Sequence, residues 1–219
     1  MARPKGSRDR DYDLRRQSLI AMARAHLSTP AGRNASWRDL AAACQVSVST
    51  MNHYFAGRAA LIAAILEQAE QEGARYLAIA QTPSGPFDRS VADLVWMLSL
   101  GLQRGVLALQ VIGLAEGFGD QSIGGAYLMH HLEPSLEAIG SRLRAHIAAG
   151  EMIECDTRLA ALELLSPLLV AHLHQTALGG HEKFPLSISG FLDHHTAHFV
   201  RSYGKQALQP DQASSAPGT

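Results

Sequence analysis

Apolar residues recur at three- and four-residue steps along most of the chain, the period of an α-helix with one buried face. Leu19, Met22, Ala23, His26 and Leu27 share a face and predict a first helix over 11–27, stopped by the run from Ser28 to Gly32. A second helix opens at Ser36. Ser36 and Asp39 have the spacing of a capping box with a shortened acid, and Trp37, Leu40, Ala41 and Cys44 supply its inward face. Gln45 and Val46 make a short turn. Ser47 then caps a third helix whose Met51 and Phe55 return to the same core. After the Ala56-Gly57 break a fourth helix begins near Arg58, buries Leu61, Ile62, Ile65 and Leu66, and continues to Ala80.

The segment 81–86, QTPSGP, reads as a linker. Longer helical patterns follow at about 88–103, 105–118, 122–149, 156–179 and 187–203. Pro134 and Pro167 fall inside them and should kink or restart the helix. No period-two strand pattern occurs. The expectation is an all-α fold: a flexible basic arm (1–10), a three-helix helix-turn-helix domain (11–67), a larger helical effector-binding and dimerisation domain (68–204) and a disordered tail (205–219).

Composition supports a packed core. Of 219 residues, 47% are hydrophobic and 18% charged, which excludes global disorder. Apolar runs such as 106–115 and 159–173 are interrupted by Gln110, Glu163 and Pro167, so no membrane span or membrane partner is expected. The basic start lacks an apolar segment behind it and is not a secretion signal. Cys44 and Cys155 match no metal or redox spacing, and a cytoplasmic location is the natural expectation.

Charge adds an asymmetry. Residues 1–67 hold ten Lys/Arg against five Asp/Glu, while the remainder holds nine against fifteen. A basic N-terminal unit on an acidic body is the layout of a chain whose first part meets a polyanion.

The stretch 36–61, SWRDLAAACQVSVSTMNHYFAGRAAL, carries the chemistry. Two short helices joined by a tight turn and buttressed by a third can present one helix to the major groove of double-stranded DNA. The outer face of the third helix, Val48, Ser49, Asn52 and His53, would read base edges, with Val48 suited to a thymine methyl.

The run VSVSTMNHYFAGRAAL resembles the helix-turn-helix signature of the TetR family of bacterial regulators. Val46, Ser47, Thr50, Tyr54, Phe55 and Leu61 match, with Met51 in the usual leucine place and Arg58 in the usual lysine place. The strong match covers about 45 residues. Asn52, Ser49 and Val48 depart from the pattern, which bears on the DNA sequence bound. The resemblance implies that Thr50, Tyr54 and Arg58 hold phosphates and that Arg38 touches the backbone. It also implies a repressor released from DNA by a small molecule. The last two long helices would form a four-helix bundle in a homodimer, matching a palindromic operator.

Trp96, Leu100, Gln110 and Glu116 are the candidate effector contacts, and the apolar body suits a hydrophobic or aromatic ligand. Met97 and Leu107 on the same helices read equally well as core. Among 11 histidines, His194 and His198 share a helical face at i, i+4 and His195 and His198 at i, i+3, a spacing that can hold a transition metal. They define an alternative, a metal-responsive regulator; a helical interaction protein without DNA contact is another. No enzymatic spacing, metal-binding motif or cofactor loop is found, so no enzyme and no cofactor are expected.

Overall fold

The computed structural model describes the backbone of residues 5–205 and the side chains of residues 10–205. The expected tail at 206–219 and the first four residues of the expected arm lie outside the described residues. The described chain is all-α. Helices α1 (Lys5–Leu27), α2 (Trp37–Ala43), α3 (Val48–Tyr54) and α4 (Arg58–Gln81) come first. The helix begins at Lys5, within the segment 1–10 expected as a flexible arm, and it tolerates Gly6 near its first turn.

Helices α5 (Phe87–Gly101) and α6 (Leu107–Gly117) follow, then α7 (Gln121–Tyr127) and α8 (Glu133–Ala148). Helices α9 (Thr157–His172), α10 (Gly180–Lys183) and α11 (Ile188–Tyr203) complete the fold. The boundary between α5 and α6 falls where Arg104 and Gly105 leave helical geometry, Gly105 with φ of 114°. A side chain is strongly disfavoured there, so glycine sets the break. By length and apolarity alone, 87–117 would suffice to cross a bilayer, contrary to the expectation that no stretch is long enough. The break at Gly105 divides that stretch: α5 packs into the second core, while α6 gives Leu107 to the second core and Leu109 and Ile112 to the first.

Pro134 sits in the first turn of α8, directly after a π-helical turn at Leu128–Leu132. Proline cannot donate to the preceding turn, so the ladder widens there and restarts. The end of α11 and the residues just after it return to the α8–α9 turn, where the Ile153 amide donates to the Tyr203 carbonyl at 2.9 Å and the Lys205 amide to the Glu151 carbonyl at 2.9 Å.

Two hydrophobic cores result. The first gathers Leu19, Leu27, Leu40, Met51, Phe55, Leu61 and Ile65 from the N-terminal helices, but it also takes Leu109, Ile112, Ile123 and Tyr127 from α6 and α7. The second lies among α5, α8, α9 and α11, with Leu94, Ile139, Leu143, Leu164 and Phe199 at its centre. Helix α4 crosses residue 67 without interruption and contributes to both, Leu66 to the first and Ala80 to the second. Twenty-four residues give it a span of about 36 Å.

Both ends of α4 are tied by buried or half-buried arginines. At its start, Arg58 donates through Nε and Nη2 to Glu116 at the end of α6, at 2.8 and 2.5 Å, and through Nη1 to the Ala35 carbonyl at 2.5 Å. At its far end, the buried Arg142 of α8 donates to the Ile79 and Ala80 carbonyls, both at 2.8–2.9 Å. A cation on the last open carbonyls of a helix also meets the negative end of its dipole.

Arg142 joins a further polar node. Its Nη1 donates to Ser90 Oγ at 2.9 Å, His146 Nε2 lies 2.8 Å from the same oxygen, and His146 Nδ1 lies 2.6 Å from Glu151 Oε2. The sequence spacing gave no hint of a serine beside a base. The order is that of a hydrolase triad, yet Ser90 has no exposed surface and its oxygen already accepts from Arg142. The node staples α5 to α8 and the turn after it.

Candidate nucleic-acid interface

The local sequence builds the helix-turn-helix with little ambiguity. Ser36 Oγ accepts from the Asp39 amide at 3.2 Å while Asp39 accepts from the Ser36 amide at 2.9 Å, the reciprocal capping box. The Ser36 hydroxyl, which donates to the Asp39 carboxylate at 2.7 Å, and then the Ser36 amide hold that carboxyl below its ordinary value. The turn into α3 places Gln45 at φ of 55°, a left-handed conformation that lets the Val46 amide reach the Ala41 carbonyl at 3.0 Å. Ser47 then caps α3 through the Thr50 amide at 3.0 Å.

Beneath α3 lie Met51 and Phe55, both buried in the first core. Above it, Ser49, Asn52 and His53 are exposed. Arg38, on the outer side of α2, is exposed as well. Val48 is half-buried and packs against the core, so less of it is free for a base than the sequence pattern suggests. The Thr50 hydroxyl lies 2.9 Å from Ser47 Oγ. Tyr54 is half-buried and stacks on Tyr12 of α1, with ring centroids 4.7 Å apart, and His53 meets both rings edge-on. Arg16 lies over the Phe55 ring. Tyr12 belongs to this surface and was not singled out from sequence: a lone aromatic among charged residues has no period to betray it.

Arg58 has a different place from the one the resemblance implies. Three of its five N–H groups are spent on Glu116 and Ala35, and the pair is mostly sheltered from solvent. It therefore ties α4 to α6 and to the segment before α2. The Glu116 carboxylate, expected to face an effector, is engaged by Arg58 at both oxygens.

The four residues expected to face an effector are not brought together. Trp96 is 62% exposed on a groove of about 360 Å³ between α5 and α11, beside Val95, Leu192 and Thr196. Leu100 is half-buried on α5. Gln110 is buried and accepts the Tyr127 hydroxyl bond. These helices turn different faces to different neighbours, information that a list of polar interruptions on an apolar helix does not contain. Of the histidine pair, His194 and His198 are both exposed on α11. No group of three or more metal-ligating side chains gathers among the described residues.

No protein-family model matches the chain, and no curated protein matches it either. Solved structures do. A chain from Mesorhizobium loti described as a TetR-family transcriptional regulator superposes with a TM-score of 0.73 at 16% identity, over 89% of this chain and 98% of that one. The fatty acid degradation regulator FadR of Bacillus halodurans gives 0.64 at 14% identity, over 84% and 93%. SmeT, the repressor of the Stenotrophomonas maltophilia multidrug efflux pump SmeDEF, gives 0.61 at 17% identity, over 93% and 97%. The chain thus has the fold of TetR-family regulators along nearly its whole described length.

Proposed function

We propose that this chain is a TetR-type transcriptional regulator that binds double-stranded DNA through α3 and acts as a repressor. The observation that carries the reading is α3 itself: a helix capped at Ser47, buried on the Met51–Phe55 side and exposed at Ser49, Asn52 and His53. An exposed row of hydrogen-bonding side chains on a helix braced from below is what major-groove readout requires. Arg38, Ser47, Val48, Thr50 and Tyr54 complete the proposed contact surface. The basic excess of residues 1–67 supplies the attraction to phosphate.

The active unit is proposed to be a homodimer. On α9, Leu159, Leu162 and Val170 are exposed apolar residues on a helix whose other side is buried. On α11, Gly190, Ala197 and His198 are exposed, and the first two leave room for close helix approach. Pairing α9 and α11 with a second copy covers this surface and sets two α3 helices against a palindromic site. A cytoplasmic location and an apolar small-molecule effector fit the same reading. Control would run through α4, whose two ends are tied to α6 and α8, because a ligand shifts DNA affinity only by binding the two arrangements unequally.

Selection of bound duplexes from a random pool tests the proposal. Enrichment of a two-fold symmetric sequence, lost when Ser49, Asn52 and His53 are all changed to Ala, supports it. Enrichment of nothing above bulk DNA contradicts it.

A further inference from the structure

Trp37 of α2 donates its indole Nε1–H to Asn52 Oδ1 of α3 at 2.9 Å. An indole nitrogen can only donate, so the atom it faces must be the amide oxygen. This fixes which way the Asn52 amide is turned. Its nitrogen points away from Trp37, and among the described residues no hydrogen bond engages it, while the residue itself is exposed on the proposed reading face. Trp37 is half-buried and packs against the first core, so the indole is itself held in place.

The orientation has a consequence for base reading. A free asparagine reads adenine by accepting from N6 and donating to N7, which needs its oxygen and nitrogen together. Here the indole takes one of the oxygen's two lone pairs and holds the oxygen toward α2, so what is offered outward is an NH2 group with two donors. Guanine presents two adjacent acceptors, O6 and N7, to such a group; adenine presents one acceptor beside a donor. We propose that Trp37 is a positioning residue that turns Asn52 into a donor head and thereby makes it prefer guanine over adenine. The inference rests on the DNA-binding reading above and deepens it. Trp37 touches no base; it acts through Asn52.

The test is a selection from random duplexes with the wild type, Asn52→Ala and Trp37→Phe. The Asn52→Ala profile identifies the base position that depends on Asn52. In the wild type that position should be guanine, favoured over adenine by about fivefold or more. Phe keeps the ring and removes the donor, so Trp37→Phe should move the same position toward adenine and leave the others unchanged, an effect that mere loosening of α2 would not produce. Asn52→Asp is a surface change that retains an oxygen toward Trp37 and replaces the outward amine by an acceptor. It should move the preference to cytosine or adenine, whose exocyclic amines donate, and it decides the matter even if Trp37→Phe fails to fold. Adenine at the Asn52-dependent position of the wild type would overturn the inference while DNA binding stands. So would an unchanged preference in folded Trp37→Phe or in Asn52→Asp, or the absence of any Asn52-dependent position. Failure of the wild type to enrich any sequence would instead overturn the DNA-binding reading, and this inference with it.

Discussion

The Arg58 guanidinium and the Glu116 carboxylate meet at two points across 58 residues of sequence, joining the first turn of α4 to the last turn of α6. Parallel N–H···O bonds of this kind fix orientation as well as distance. A third bond from Arg58 to the Ala35 carbonyl extends the tie to the segment that leads into α2. One side chain thus couples the helix-turn-helix to the body.

Separate replacement of the two partners should therefore produce similar losses. Glu116→Ala removes two charge-assisted bonds from a half-buried site, a cost of about 1.5–3 kcal/mol in denaturant unfolding. Arg58→Ala should cost about as much, and the double variant should cost less than the sum, because the two side chains serve one interaction. In DNA titrations both variants should weaken binding without changing its salt slope. A slope reduced by about one for Arg58→Ala alone would instead make Arg58 a direct phosphate contact.

Gly113 is where Tyr127 comes against α6. A Cβ placed on it would lie 2.2 Å from Tyr127 Cδ2, inside a ring that is buried and whose hydroxyl bonds to Gln110. Alanine is ordinarily the better helix former by about 1 kcal/mol. The overlap outweighs that gain, and Gly113→Ala should destabilise by about 1–3 kcal/mol. A melting temperature equal to or above wild type would show that Tyr127 can move aside without cost.

Gln45 invites the opposite change. Its left-handed φ of 55° strains a residue with a side chain, and Gln45→Gly should relieve about 1 kcal/mol of that strain, in part offset by the greater freedom of glycine when unfolded. Denaturation midpoints of the two proteins check this; a clearly less stable Gln45→Gly would mean that the side chain contributes more than the turn costs.

Stability should fall with mild acid. Burial pulls the His131 imidazole down to about 4, and burial also lowers His172. An unfolded histidine takes up its proton near pH 6.5, so below that the unfolded chain binds protons that the folded one refuses. The stability is whole above pH 6.5 and declines as pH drops toward 4, by about 1.4 kcal/mol per pH unit for each site that stays unprotonated when folded. Urea titrations at pH 7.5 and 5.5 measure the decline, and His131→Gln should reduce it. An equal decline in that variant would remove His131 from the account.

Much of this architecture can be read from the sequence because it is local. The Ser36 and Ser47 caps, the Met51–Phe55 inner edge and the break at Ala56-Gly57 depend on residues within a few positions of one another, and each appears where the pattern puts it. Of the two prolines expected to interrupt a helix, Pro134 follows a π-helical turn, whereas α9 runs through Pro167 without a break. What escaped the pattern is long-range. Nothing near Arg58 signals Glu116, nothing near Trp37 signals Asn52, and nothing near Tyr12 signals Tyr54. A helix period tells which face of Trp37 is inward; it does not tell that the indole nitrogen reaches across to α3. The effector candidates failed to converge for the same reason, since Gln110 and Glu116 find their partners on other helices.

The most direct measurement is equilibrium binding of the wild-type chain to its selected duplex and to a scrambled duplex of equal length, each at two salt concentrations. The account predicts tighter binding to the selected duplex by about a thousandfold or more, with affinity for both falling steeply as salt rises. Equal affinity for the two duplexes, or binding indifferent to salt, would contradict it.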